Sequence, residues 1–148
     1  MSKRRPIILL VEDTENDVFF FRRALSALSA DIEVRVVVNG ADAQAYIEGR
    51  RGYADRVYYP QPDLIVCDFK MPQKTGAEFL QWLRTQKQFE HIPFVVYSGS
   101  VLKKEEETAM RLGATLYLRK SGDFRSTIED VRTILALLAP TLPSKPVS

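Results

Sequence analysis

The sequence predicts a doubly wound α/β domain in which five parallel strands form one sheet with helices on both faces. Short apolar segments alternate with longer amphipathic ones along the chain. The five apolar segments span residues 7–11, 32–38, 64–67, 94–97 and 116–118. Segments that are apolar on both faces suit strands of a parallel sheet that helices cover on each side. Five strand-then-helix units in this order therefore predict a single α/β domain.

Each predicted strand is followed by a segment with the periodicity of an amphipathic helix. The first of these helices has one apolar face, formed by Val18, Phe21, Leu25 and Leu28, and Thr14 precedes it as the expected capping residue. The next three helices are predicted over residues 41–47, 77–84 and 103–112, and Gly113 ends the last of them. The inward face of the fifth helix is predicted to consist of Ile128, Val131, Leu135 and Leu138, and Pro140 ends this helix.

The composition excludes several classes of protein. The 148 residues are enough for one domain with a core and too few for two. With 21 basic and 19 acidic residues the net charge is +2, which argues neither for a nucleic-acid-binding surface nor for an acidic tail. Cys67 is the only cysteine and His91 the only histidine, so an internal disulfide and a multi-histidine metal site are excluded. Because the sequence has neither a signal-peptide pattern nor an apolar stretch of membrane length, we expect a cytoplasmic protein without membrane association.

Polar side chains stand directly after four of the predicted strands. Glu12 and Asp13 follow the first strand, Asp68 the third, Ser98 the fourth and Lys120 the fifth. In open α/β sheets, binding sites form beyond the carboxyl ends of the strands. The sequence therefore predicts that three carboxylates, a hydroxyl and an ammonium meet at one edge of the sheet.

This group of side chains has the chemistry of a phosphoryl-transfer site. Three neighbouring carboxylates repel one another unless a cation joins them, and a hard divalent cation such as Mg²⁺ prefers oxygen ligands. A carboxylate can act as the nucleophile and form an aspartyl phosphate. Lys120 and the metal would offset charge on the transferring group, and Ser98 would donate to a phosphoryl oxygen afterwards.

The same residues resemble those of the response-regulator receiver domain family over roughly residues 6–139. The matching features are Val11-Glu12-Asp13, Asp68-Phe69-Lys70-Met71-Pro72 followed by Gly76, Ser98, Tyr117 and Lys120. Each motif alone is weak, but all of them in order, with the correct strand placement, form a specific signal. The resemblance implies a flavodoxin/CheY-like fold with strand order 2-1-3-4-5.

The resemblance also implies a role for each matching residue. Asp68 would be the phosphoacceptor, and Asp13 and Asp68 would bind Mg²⁺ directly together with the main-chain carbonyl of Lys70. Glu12 would act on the metal mostly through water. The phosphoryl donor would be a sensor histidine kinase.

Four further residues receive roles in switching and dephosphorylation. Ser98 and Tyr117 would respond to the phosphoryl group and alter the face formed by the fourth helix, fifth strand and fifth helix. Lys70 and Ser100 would tune the loss of the phosphoryl group. We expect no enzymatic activity beyond assistance in the chain's own phosphorylation and dephosphorylation.

Two positions depart from the family pattern. The family usually has a cis proline after the lysine, where this chain has Ser121, and a cis bond without proline costs about 2.5–4 kcal/mol. The family often has alanine after the Ser/Thr position, where this chain has Gly99. The long connection over residues 50–62 and the Lys-Ser pair are similar to small response regulators that pair with bacterial phytochromes, so we expect a kinase of that kind.

The expected organisation is a frayed segment over residues 1–5, a receiver domain over 6–139 and a flexible tail over 140–148. Ile134 and Leu137 are apolar residues beyond the predicted inward face of the fifth helix, and we expect them to contribute to a homodimer. We expect no direct DNA binding.

Two alternative functions are weighed against this one. A phosphatase with an aspartyl intermediate would have a second carboxylate two residues after the nucleophile, but this chain has Lys70 there. An interaction module that works without phosphorylation would be expected to lack a key residue, and none is lacking.

Overall fold

The computed structural model describes residues 5–70 and 75–138. Its five strands are β1 (Ile7–Val11), β2 (Glu33–Val37), β3 (Leu64–Cys67), β4 (Phe94–Ser98) and β5 (Leu116–Arg119). All neighbouring strands are parallel, in the order β2-β1-β3-β4-β5. The predicted doubly wound fold and its strand order are therefore confirmed.

The helices alternate with the strands as expected. They are α1 (Glu15–Ala27), α2 (Gly40–Glu48), α3 (Gly76–Arg84), α4 (Lys103–Arg111) and α5 (Phe124–Leu135). Short 3₁₀ turns follow α3 at Lys87–Phe89 and α5 at Ala136–Leu138. Among the residues described, no helix is long and apolar enough to cross a membrane.

The inner strand β1 is buried on both faces and contributes to an apolar layer on each side of the sheet. Leu9 and Val11 contribute to the layer that contains buried residues of α2, α3 and α4. Ile8 and Leu10 contribute to the layer on the other side, with buried residues of α1 and α5. This burial on both faces explains why β1 appears in the sequence as an uninterrupted apolar run.

The caps of α1 and α2 differ, and only the cap of α1 was predicted from the sequence. Asn39 caps α2, because its side chain accepts a hydrogen bond from the Asp42 amide at 2.7 Å. Thr14 occupies the capping position of α1, but its side chain makes no capping hydrogen bond. Its hydroxyl lies 3.5 Å from the Asp13 carboxylate instead, so the predicted side-chain cap is wrong.

The prediction that Ile134 and Leu137 lie beyond the inward face of the fifth helix is also wrong. Ile134 is fully buried together with Val131 and Leu138, and Leu137 packs against the same apolar layer. The stripe at 131, 134 and 138 has helical spacing, as does the predicted stripe through Leu135, so periodicity alone did not choose between them. Pro140 lies outside the described residues, as do the proposed tail at 140–148 and most of the proposed frayed segment.

Tyrosines of the 50–62 connection pack onto the sheet layer. Tyr53 and Tyr59 lie 5.0 and 6.0 Å from the ring of buried Tyr46, measured between ring centroids. Arg56 donates to the main-chain carbonyls of Tyr46 and Tyr53. Tyr58 remains 58% exposed, so this connection is mainly a cover for the sheet with one exposed ring.

Candidate functional site

Main-chain hydrogen bonds beyond the strands bring the predicted site residues together. The Glu12 amide donates to Val37, the Asp68 amide to Val11 and the Lys120 amide to Ser98, at 2.9, 3.1 and 2.7 Å. Each bond extends the parallel ladder by one step past a strand end. The side chains that follow β1, β3 and β5 consequently converge at the carboxyl edge of the sheet.

The Lys120 ammonium is at the centre of this site. Its Nζ donates to the carboxylates of Glu12, Asp17 and Asp68, at 2.9 Å for Asp17 and 3.1 Å for Asp68. The Lys120 side chain is 16% exposed, and that of Asp68 is 12% exposed. Charge-assisted hydrogen bonds in such a partly dry position are stronger than those on an open surface.

Burial and charge act in opposite directions on the pKa values of Glu12 and Lys120. Burial raises the pKa of Glu12 to about 7, although the hydrogen bond and the charge of Lys120 act to lower it. Burial also disfavours the charged form of Lys120, but the carboxylates of Asp68 and Glu12 outweigh it and raise its pKa above the usual range. The lysine therefore stays charged and compensates a site with excess negative charge.

The Asp68 carboxylate is held at both oxygens. Oδ2 accepts from Lys120, and Oδ1 accepts from the main-chain amide of Lys70 at 2.9 Å. The Cys67 thiol donates to the Asp68 carbonyl at 3.2 Å, and the buried Cys67 has its pKa raised by burial. Asp68 thus presents a fixed, slightly exposed oxygen pair at the edge of the sheet.

Asp17 belongs to this site, and the sequence analysis missed it. Carboxylate oxygens of Glu12, Asp17 and Asp68 all lie within 4.8 Å of one another. Asp17 stands in the first turn of α1, so the signal was its position in the helix that leaves the end of β1. Because Asp17 does not directly follow a strand, its distance from the strand end gave no signal of its own.

Asp13 and Lys70 are placed differently from the other predicted metal ligands. Asp13 is exposed and is not in the group of three carboxylates, while its amide donates to Glu12 Oε2 at 3.1 Å. Lys70 is exposed beside Asp68. Their predicted roles in metal binding stay predictions.

The hydroxyl groups at the end of β4 are buried. Ser98 is fully buried, and its Oγ accepts from the Ser100 amide at 3.2 Å. Ser100 is also buried and accepts from the amide of Leu102. Ser98 therefore lies under the rim of the site, and Ser100 supports the loop that leaves β4.

Tyr117 links β5 to α4. Its hydroxyl donates to Glu105 Oε2 at 2.7 Å, and its ring packs partly against the layer formed by α2, α3 and α4. Burial, followed by the hydrogen bond to Glu105, raises the pKa of Tyr117 to about 12. The predicted switch residue thus connects the strand that carries the site lysine to a neighbouring helix.

The two departures from the family pattern have simple local structures. The peptide between Lys120 and Ser121 is trans, since no peptide bond is cis within residues 5–70 and 75–138. A methyl group on Gly99 would meet no atom within 4 Å. Met71 and Pro72 of the motif after Asp68 lie outside the described residues.

Comparisons with known proteins agree with this arrangement. The family model described as the response regulator receiver domain matches residues 8–132. Response regulator Rcp1 of Synechocystis sp. is 29% identical over 140 residues, which are 93% of each chain. The crystal structure of the phosphorylated cyanobacterial phytochrome response regulator RcpA superimposes with a TM-score of 0.84 at 28% identity, and covers 95% of this chain and 98% of its own.

A second solved structure concerns a metal-bound relative. The Mn²⁺-bound form of response regulator Rcp1 has a TM-score of 0.81 at 26% identity, and the match covers 95% of this chain and 99% of that one. The agreement extends over the fold and the strand order. The chain belongs to the response-regulator receiver domain family.

Proposed function

We propose that this chain is a single-domain response regulator that accepts a phosphoryl group on Asp68. The observation that carries the proposal is the position of the Lys120 ammonium, which contacts Asp68 and two further carboxylates in a partly buried site. Asp68 is 12% exposed, so its oxygen is accessible to a donor while water access is limited. A nearby cation that offsets charge on the transferring group is a general requirement of phosphoryl transfer.

The donor in this proposal is a phosphohistidine of a sensor kinase. An Asp68 carboxylate oxygen forms a bond to phosphorus as the bond between phosphorus and the histidine nitrogen breaks, and the imidazole leaves with a proton from solvent. Lys120 holds a phosphoryl oxygen through the ammonium that now contacts Asp68. The chain acts as phosphoacceptor, assists its own phosphorylation and dephosphorylation, and has no other enzymatic activity.

A divalent cation fits the donor set. The candidate ligands are carboxylate and carbonyl oxygens, which Mg²⁺ prefers, and Asp13 and Asp68 come shortly after the ends of the paired strands β1 and β3. In the proposal Asp13, Asp68 and the Lys70 carbonyl hold Mg²⁺, with Glu12 acting through water. The ion would neutralise charge on the phosphoryl oxygens.

The output step uses Ser98 and Tyr117. Ser98 moves toward the phosphoryl group, and Tyr117 exchanges its hydrogen bond to Glu105 for a more buried position. This alters the face formed by α4, β5 and α5. Lys70 and Ser100, which flank Asp68 and Ser98, tune the lifetime of the phosphoryl group.

The partners are proposed from the relatives and from this face. RcpA is a phytochrome response regulator, and we assign this chain to the cytoplasm with a phytochrome-type kinase as its donor. We also propose a homodimer through α4, β5 and α5, on which Met110 is 46% exposed. Sedimentation velocity with and without the phosphoryl donor tests the dimer, and a monomer under both conditions contradicts it.

The central claim is tested by mass spectrometry of the intact chain. Incubation with Mg²⁺ and acetyl phosphate is expected to add one phosphoryl group to the wild type and none to Asp68→Asn. Omission of Mg²⁺ is the matched control for the metal. No added mass in the wild type, or equal addition to Asp68→Asn, would refute the proposal.

A phosphorylation-independent interaction module is the second candidate. Its distinguishing result would be partner binding that is unchanged by acetyl phosphate and by Asp68→Asn. An aspartyl-phosphate phosphatase is disfavoured because Lys70, and not a second carboxylate, stands two residues after Asp68.

A further inference from the structure

Asp17 is the member of the site for which no role has been assigned. It accepts a hydrogen bond from Lys120 Nζ at 2.9 Å, and its side chain is 38% exposed. Glu12 and Asp68, the other two partners of Lys120, are 3% and 12% exposed. Asp17 therefore closes the outer side of the ammonium, and it comes from α1 rather than from a strand end.

The geometry of Lys120 accounts for the closeness of the three carboxylates. An ammonium has three N–H donors, and each of the three carboxylates receives one hydrogen bond. The space between Glu12, Asp17 and Asp68 is thus occupied by the Lys120 ammonium. A divalent cation at the same point would face a fixed positive charge at close range, which is strongly unfavourable.

We propose that Asp17 is a positioning residue that holds the Lys120 ammonium beside Asp68 and that it does not bind the divalent cation. This inference rests on the proposed phosphoryl transfer to Asp68. When the Asp68 oxygen becomes bonded to phosphorus, one donor of Lys120 turns to a phosphoryl oxygen. The hydrogen bonds to Glu12 and Asp17 then keep the ammonium in place from β1 on one side and α1 on the other.

The role also gives α1 a direct connection to the reacting group. Asp17 lies in the first turn of α1, and Lys120 follows β5, so their ion pair joins two elements that are distant in sequence. Removal of the Asp17 charge would leave the ammonium with two charged partners and more freedom. A misplaced catalytic group lowers the rate of a step that depends on precise orientation.

The test is a double-mutant cycle with Asp17→Asn and Lys120→Gln. Phosphorylation by acetyl phosphate at saturating Mg²⁺ is followed by intact mass for the wild type, both single variants and the double variant. We expect Asp17→Asn to slow phosphorylation about threefold to tenfold when Lys120 is present. In the Lys120→Gln background the same change should alter the rate less than about twofold.

Glu15→Gln is the matched control, because Glu15 is an exposed acid in the same turn of α1 and makes none of the three ion pairs of Lys120. It removes the same charge and should change the rate less than about twofold. Circular dichroism checks that each variant is folded. An equal effect of Asp17→Asn in both Lys120 backgrounds, or no effect in either, overturns the proposal.

A separate measurement distinguishes positioning from metal binding. Calorimetric titration with Mg²⁺ should show that Asp17→Asn weakens binding less than about tenfold, since only a neighbouring charge is lost. A loss of about tenfold or more would identify Asp17 as a metal ligand and overturn the proposal.

A failure of the proposed phosphoryl transfer can be distinguished from a failure of the proposed role of Asp17. If the wild type takes up no phosphoryl group, phosphoryl transfer itself is refuted. The coupling between Asp17 and Lys120 is then measured by the melting temperatures of the wild type, both single variants and the double variant without Mg²⁺. Additive changes in melting temperature would refute the coupling as well.

Discussion

The close contact between Gly76 and the main chain at Asp68 allows a quantitative prediction for Gly76→Ala. A methyl group at this position would lie 2.5 Å from the Asp68 carbonyl oxygen and 2.9 Å from the Cys67 sulfur. Ordinary contact begins at 3.4 Å, so the methyl group would need about 0.9 Å more space against the carbonyl. Gly76 starts α3, which therefore packs against the loop at Asp68 without a side chain between them.

The expected cost follows from this overlap. Overpacking of a well-packed site costs about 1–3 kcal/mol. Alanine improves helix propensity by at most about 1 kcal/mol relative to glycine, and this gain is small at the first residue of a helix. We expect Gly76→Ala to lower the free energy of unfolding by about 1–3 kcal/mol. In a chain of this size that corresponds to a melting temperature about 2–10 °C lower.

Thermal and urea denaturation measure this change, with Gly99→Ala as the control. A methyl group on Gly99 meets no atom within 4 Å, so this variant should match the wild type within about 1 kcal/mol and be the more stable if they differ. Phosphorylation of Asp68 should slow in Gly76→Ala, because the overlap displaces the main chain of the phosphoacceptor. If Gly76→Ala were as stable as Gly99→Ala, the close packing of α3 against Asp68 would be refuted.

Three further predictions concern Tyr117, the core and the helix caps. An absorbance titration of tyrosinate should contain a signal with a pKa of about 12 that is absent from Tyr117→Phe. Glu105→Gln should lower this pKa. Since the folded-state pKa lies above the usual 10, the stabilising contribution of Tyr117 is complete below pH 10 and is lost as the pH rises toward 12. Ile134→Ala should lower the free energy of unfolding by about 2–5 kcal/mol in urea denaturation, because Ile134 is fully buried. Asn39→Ala should cost about 1 kcal/mol in the same assay, whereas Thr14→Ala should cost little because its side chain makes no capping hydrogen bond.

Each of these predictions has a clear contrary result. An ordinary pKa near 10 for Tyr117 would contradict its hydrogen bond to Glu105. A loss of unfolding free energy below about 0.5 kcal/mol in Ile134→Ala would contradict the burial of this side chain and favour the outward position that the sequence predicted. Equal costs for Asn39→Ala and Thr14→Ala would show that the two caps are equivalent.

Periodicity and strand-end position predicted the fold and the main site residues. The fully apolar runs at β1 and β3 identified buried parallel strands, and parallel strands necessarily place the residues that follow them at one edge. Glu12, Asp68 and Lys120 could therefore be grouped without coordinates. The inward stripe of α5 could not be chosen, because Ile134 and Leu135 both fit a helical spacing.

Asp17 shows why the rest of the site required the tertiary structure. The sequence by itself determined that carboxylates, a serine and a lysine follow strands of one sheet, because that information is local and periodic. The ion pair between Asp17 and Lys120 joins residues 103 positions apart. It depends on how α1 leaves β1 and on the direction of the lysine side chain, which follow from packing across the whole domain. Only the tertiary structure decided that the ammonium has three partners and that Asp13 lies outside this group.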